Sequence, residues 1–253
     1  MSIQDAIGPI ITLAFILGFI LEAIIPRETQ PRVRFWRLLC IVFFVANAGI
    51  NIFLPLLIPE AWIASHSLLP GTKLGVGGGF AVGFFAWSFV YYWYHRSEHR
   101  FDVMWRGLHQ LHHSPARMDV AGFAYSHPFD LIVQTFLQFG VLIGVLGLHP
   151  SAAALVGLYA AIAELVQHLN VRTPRWLEWI MQRPEAHQRH HEFGQHAGNY
   201  GDWPVWDKLL GTYRAPAAGP LPYGFADGAT RRIGAMLACV DVNRAEAPIV
   251  RHD

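Results

Sequence analysis

GVGGGFAVGFFAWSFVYYWYHRSEHRFDVMWRGLHQLHH, residues 75–113, joins two unlike kinds of chain. Its first twenty residues carry no charge, and a membrane-crossing helix takes roughly 20 mostly apolar residues. The next nineteen hold five histidines: His95, His99, His109, His112 and His113. A cluster of imidazoles therefore stands at the mouth of an apolar helix.

Four further segments read as spans, at 8–25, 36–58, about 129–148 and about 151–168. Only His149-Pro150 separates the last two, which predicts a tight helical hairpin or a re-entrant one. Segment 8–25 lacks the small-residue cleavage site of a removed signal peptide. Composition agrees with a membrane protein: 53% of the residues are hydrophobic and 15% charged, against about 25% charged in soluble domains. A formal charge of +1 with no clustered basic face excludes nucleic acid as an expected partner. Cys40 and Cys239 have neither metal nor redox spacing and are expected as free thiols.

Basic residues in short loops mark the cytoplasmic side. Arg27, Arg32, Arg34 and Arg37 follow the first span, whereas residues 59–72 carry no lysine or arginine. Propagating that choice through the spans puts residues 95–127 and everything after His168 on the cytoplasmic side together. The expected fold class is thus an all-α integral membrane protein, with four to five transmembrane helices and a cytoplasmic helical cap carrying histidine clusters.

Residues three and four apart share a helix face. His95 and His99 form such a pair, and His109, His112 and His113 form a trio. His187, His190 and His191 repeat the trio 78 residues later, and Glu164 with His168 is a weaker pair. Neutral imidazole is the commonest metal ligand, and eight histidines in three groups exceed one ion and suit two. His66, His149, His196 and His252 read instead as solitary amphipathic side chains near headgroups. The stretch His191–His196 has its histidines five apart, not four, so it is no HExxH zinc site. A haem bundle would place single histidines within facing spans. A transporter would line a midplane path, where only Asn47, Asn51, Gln134 and Gln138 stand, all adequate as interhelical hydrogen-bonding residues. Nitrogen-rich paired sites suit redox-active iron that activates oxygen.

HRSEH, WRGLHQLHHS, SHPFD around His127, QHLNVRTP, HQRHH and NYGDWPVWDKLLGTY, from Tyr94 to Tyr213, resemble the fatty acid hydroxylase and sterol desaturase superfamily of membrane di-iron oxygenases. The resemblance covers about half the chain. It implies metal ligation by His95, His99, His109, His112, His113, His168, His187, His190 and His191. Relatives can carry HxxxH where this chain has Glu164 to His168, so Glu164 is a ligand, an acceptor orienting His168, or merely a helix-end residue. His127 is a residue behind the ligands or a channel wall. Asn199, Tyr200, Trp206 and Asp207 are expected to hold the cap over the metals, Asp207 accepting from a histidine N–H.

The implied function is O2-dependent oxidation of an unactivated lipid C–H bond by two Fe2+ ions, most simply hydroxylation of a fatty acyl, sterol or related lipid. Desaturation, ether-lipid monooxygenation, and non-catalytic metal binding or transport are the alternatives. Phe84, Phe85, Trp87, Phe136 and Phe139 are candidates to line the lipid's path. GVGGGF at 75–80 opens a span and follows no strand, so it is no dinucleotide fingerprint. A separate electron donor of cytochrome b5, ferredoxin or reductase type is expected. Its docking surface would be the basic face of Arg96, Arg100, Arg106, Arg117, Arg172 and Arg175. Residues 1–215 read as one membrane-embedded domain, with the histidine-rich region at about 94–213. Residues 216–253 read as a polar tail.

Overall fold

The computed structural model describes residues 3–217, 219–226 and 228–243, which leaves His252 outside the described residues. Its long helices are α1 (Ile3–Ile24), α2 (Trp36–Phe53), then after the short α3 (Glu60–Ser65), α4 (Gly75–Arg100). A broken helix follows, α5 (Asp102–Met104) and α6 (Gln110–His113) joined by a π turn at Trp105–His109. Next come α7 (Pro128–Phe139), prolonged by a π turn at Gly140–Val145, and α8 (Pro150–Gln167). The short α9 (Pro184–His190), α10 (Val205–Leu209) and α11 (Ile233–Leu237) complete the helices. Among the described residues there is no strand, only an isolated bridge between Glu192 and Tyr223.

Five helices are long and apolar enough to cross a membrane, so the chain is a multi-pass membrane protein. On α1 the side chains of Ile10, Leu13, Ile16, Leu17, Ile20 and Leu21 point outward, as they should toward hydrocarbon. α4 has 26 residues, about 39 Å at 1.5 Å per residue, against roughly 30 Å of bilayer core. Its last turns, bearing His95 and His99, consequently project past the apolar zone. α7, α8 and α9 each begin with proline, where the missing N–H costs nothing. His127 and His149 cap α7 and α8, their Nδ1 atoms accepting from the Phe129 and Ser151 amides at 3.1 Å.

α4 lies against α8 closely enough to require glycine. A Cβ on Gly79 would stand 3.0 Å from Ala152 Cβ, and one on Gly83 would stand 2.8 Å from Leu148 Cδ1. At the histidine end, the 3-10 segment Val120–Ala124 tucks between α1 and α2. Trp36 Nε1 donates to Asp119 Oδ1 at 2.9 Å, and Glu22 Oε1 accepts from the amides of Val120 and Asn170, both at 2.7 Å. Asn47, expected between helices, donates to the Ala124 carbonyl at 2.9 Å.

The described part of the segment after Ala215, expected as a polar tail, packs onto the bundle through apolar residues. Phe225, Ala229, Met236 and Val242 are buried with Trp36, Cys40, Trp105 and Leu111. Gln110 Nε2 donates to the Val240 carbonyl at 2.8 Å and Gln110 Oε1 accepts from the Val242 amide at 3.3 Å, so the tail clasps the helix that carries HQLHH. The polar look of the segment hid a few apolar residues sufficient to dock it. Cys40 and Cys239 are both free.

Candidate metal centre

The nine histidines expected as ligands converge in two groups. His95, His99, His109, His113 and His190 form one, and His112, His168, His187 and His191 form the other. Within each group the ligand atoms all lie within 4.8 Å of one another. Neither trio stays whole. His109 and His113 enter the five-membered group while His112, on the other side of the helix, enters the four-membered one. The second trio mirrors this, with His190 in the first group and His187 and His191 in the second. The π turn at Trp105–His109 sets the phase of the first trio, a common use of such turns at functional sites. The groups abut where His113 stacks on His191, ring centroids 4.0 Å apart and planes at 14°.

Backbone carbonyls set the tautomers. His95 Nδ1 donates to Tyr200 O, His190 Nδ1 to Gly198 O and His168 Nδ1 to Glu164 O, each at 2.7 Å. The Nε2 atoms of those rings are therefore bare lone pairs, and they face more nitrogen. His95 Nε2 lies 2.9 Å from His109 Nε2, His190 Nε2 lies 3.0 Å from His113 Nε2, and His168 Nε2 lies 3.1 Å from His112 Nε2. Each such contact is satisfied either by a proton on the facing nitrogen or by a cation shared between two bare lone pairs. Burial, and then the charge of protonated neighbours, holds His109, His112, His113, His187, His190 and His191 well below the usual imidazole range. Neutral imidazole is the ligating form, so the donor set fits two transition-metal ions.

Acidic residues ring the same site. Glu98, Asp130 and Asp202 are buried, and none of the three, nor Glu164, pairs with lysine or arginine among the described residues. Glu98 Oε2 lies 3.4 Å from His109 Nδ1, and Asp130 accepts from Tyr94 Oη at 2.7 Å and Gln134 Nε2 at 2.9 Å. A buried carboxylate without a cationic partner is costly, and either a bound proton or a nearby metal cation removes that cost. Glu98 and Asp130 were not among the expected site residues. A signal existed for both, since Glu98 stands three residues after His95 within HRSEH and Asp130 closes the SHPFD block.

The other expected residues divide. Glu164 gives its carbonyl to His168, while its side chain borders a narrow cleft below the histidines with Tyr91, Ser126, Asp130, Gln134 and Gln167. That lining is polar, and Phe84, Phe85, Trp87, Phe136 and Phe139 do not border it. Phe84 packs on Tyr159 and Trp203, Phe85 and Phe136 face outward, and Trp87 is buried in the α4–α8 core. His127 caps α7, its Nε2 3.3 Å from the Leu237 carbonyl, and joins neither histidine group. Asp207 accepts from no histidine among the described residues. Its carboxylate takes the Tyr200 and Gly201 amides at 2.8 Å and the Thr212 hydroxyl at 2.7 Å, because it lies beneath the loop and not beside the rings. Asn199, at φ 53°, ties the same loop to the Ala186 and Arg214 carbonyls. Asp207 and Asn199 thereby fix the carbonyls of Gly198 and Tyr200 that orient His190 and His95. Trp206 pins α10 to α4 by donating to Ser88 Oγ at 3.0 Å. His196, expected as a solitary interfacial side chain, is buried, with Nδ1 3.0 Å from His113 Nδ1.

A family model described as fatty acid hydroxylase matches residues 80–212. The chain is 29% identical over 134 residues to an alkylglycerol monooxygenase of Xenopus tropicalis, a stretch covering 50% of this chain and 28% of that protein. It is 31% identical over 156 residues to an ornithine lipid hydroxylase of Rhizobium tropici, covering 58% and 44%. A cholesterol 25-hydroxylase-like protein of Caenorhabditis briggsae is 26% identical over 144 residues, covering 53% and 46%. The match spans less than half the length of each of these relatives. No solved structure matches.

Proposed function

The chain belongs to the fatty acid hydroxylase family, and from that premise we propose that it is a membrane di-iron oxidoreductase that hydroxylates a lipid at an unactivated C–H bond. The observation that carries the reading is the convergence of nine imidazoles, eight of them buried, into two adjoining groups at one end of a membrane bundle. His95, His99, His109, His113 and His190 would hold one iron ion, and His112, His168, His187 and His191 the other. Bound iron would supply the reduction of O2 and the oxidising power needed at the C–H bond. The chain's own residues would do the rest. Carbonyls of Gly198, Tyr200 and Glu164 aim the imidazoles, and the buried cap keeps water from the site. Tyr91, Ser126, Gln134 and Gln167 border the cleft through which a lipid would approach. Glu164 serves here as a cleft residue and as the carbonyl that orients His168, not as a ligand.

The names of the relatives support a lipid substrate, and the position of the cleft between the spans and the cap supports entry from the bilayer. We place the site on the cytoplasmic side, supported by the arginines gathered at that end of the bundle. Electrons would come from a cytochrome b5-, ferredoxin- or reductase-type donor. Purified protein should hold about two iron ions per chain and consume O2 when a reductant and a membrane lipid extract are added. Mass spectrometry should find a lipid heavier by one oxygen. A product lighter by two hydrogens would identify a desaturase, and exchangeable zinc without O2 uptake would refute the oxygenase.

A further inference from the structure

His196 stands outside both histidine groups and yet touches one of them at two points. Its ring is 3% exposed, packed against Trp105 and Phe225 with centroids 5.8 Å and 5.4 Å away. Its Nδ1 lies 3.0 Å from His113 Nδ1, and its backbone acts on the ring of His99. Both contacted residues belong to the five-membered group. The backbone is unusual as well, since His196 has φ 37°, in the left-handed region that costs a residue with a Cβ about 1–2 kcal/mol. Strain of that kind survives where surrounding contacts hold it, which makes the contact with His113 informative.

Two nitrogens 3.0 Å apart share one proton, so one ring donates to the other. His113 Nε2 faces His109 Nε2 and His190 Nε2, both at 3.0 Å, and His190 Nε2 is already bare because its Nδ1 proton is held by Gly198 O. His113 therefore serves the group only with its own proton on Nδ1, which makes it the donor to His196 and leaves its Nε2 lone pair turned inward. The other ligands oriented from behind lean on backbone carbonyls. His113 alone among them leans on a second imidazole.

Resting on the reading of the two groups as metal centres, we infer that His196 is a positioning residue, holding His113 in the tautomer and orientation that the five-histidine centre requires. It binds no metal itself, because the nitrogen facing the site is the one that accepts from His113. Loss of a partner of this sort weakens metal binding roughly 10–100-fold.

The test uses metal-stripped full-length protein in detergent, titrated with Co2+ and followed by its visible absorption. Wild type is expected to bind two ions. His196→Phe, which keeps the ring volume and removes the acceptor, should lower affinity at one site about 10–100-fold. The four-histidine site should keep its affinity and serve as the internal control for folding. His196→Asn, whose Oδ1 can accept in place of Nδ1, should stay within about threefold of wild type at both sites. Wild-type affinities and an unchanged spectrum in His196→Phe would overturn the inference, as would an equal loss in His196→Asn. If His196→Phe is not monodisperse, His196→Leu takes its place in the same comparison. Failure of wild type to bind two ions would instead strike the metal-centre reading itself.

Discussion

An imidazole has two nitrogens, and what holds the outer one determines what the inner one can offer. Three arrangements serve that purpose here: loop carbonyls at His95 and His190, a helix carbonyl at His168 and an imidazole behind His113. Removing an inner nitrogen should do more than removing its support. His112→Ala should bind about one metal ion fewer per chain and lose turnover by more than the ~100-fold typical of an outer partner, while remaining in the membrane fraction. Metal analysis and O2 uptake on the same preparation check this. Asp202 is a different kind of residue, since burial pushes its carboxyl up to about 7 while the Gln167 amide opposes the shift. Its folded value lies above the unfolded one of about 3.9. Its contribution to stability is therefore complete below that unfolded value and is lost as pH rises through about 7, on the order of 4 kcal/mol in all. Asp202→Asn keeps the acceptor for Gln167 and removes the titration. Thermal unfolding with a chelator present should show the variant gaining on wild type from about pH 5 to about pH 8; a constant difference would contradict the assignment.

Elements combine these residues through two devices, helix phase and a braced loop. The loop at 198–201 has no regular structure, and its two orienting carbonyls depend on Asn199 and Asp207. Asn199→Gly keeps φ free but leaves the Ala186 and Arg214 groups without partners, each costing about 1–3 kcal/mol. A fall of several degrees in melting temperature is expected, and Asn199→Ala should fall further because it must also hold φ 53°. Helix phase was legible in the sequence because it is local. Spacings of three and four place rings by geometry alone, so HRSEH and both HxxHH trios announced themselves. The partition of each trio between two groups was not legible, since it depends on which neighbour each side of the helix meets. His196 carried no periodic signal, for it lies in a loop and is buried by Trp105 and Phe225, distant in sequence. The aromatic lining failed for a related reason: rings in spans are interchangeable by composition, and packing alone decides which face the cleft.

At the scale of the whole molecule, hydropathy made the five spans plain, because crossing a bilayer constrains a segment by itself. What hydropathy could not reveal was the Val120–Ala124 insertion between α1 and α2 and the clasp of the C-terminal segment on Gln110. Truncation before Arg232 would expose the Met236 site and strip Gln110 of its two backbone partners in the C-terminal segment, leaving only the Arg106 carbonyl. The truncated protein should still insert, yet melt lower and lose metal faster to a chelator, since Gln110 stands in the chain between His109 and His112, where the π turn meets α6. Equal release rates would mean that the clasp is independent of the site. The side of the membrane is tested by reporters fused at the C-terminus in a bacterial inner membrane. A fluorescent protein that folds only in the cytoplasm should light up, and an alkaline phosphatase that folds only outside should stay inactive.

The single oxygen of Glu22 that receives the Val120 and Asn170 amides has a bearing on biogenesis. α1 leaves the ribosome well before its two partners, which lie 98 and 148 residues further along the chain. At about 5–20 residues per second, synthesis of the later partner lags by roughly 7–30 s. Until then α1 sits in the bilayer with an acidic group awaiting its donors, and the helices made after it can still rearrange. Closure of the bundle on α1 is thus timed to the completion of α8, just before HQRHH emerges to complete the histidine groups.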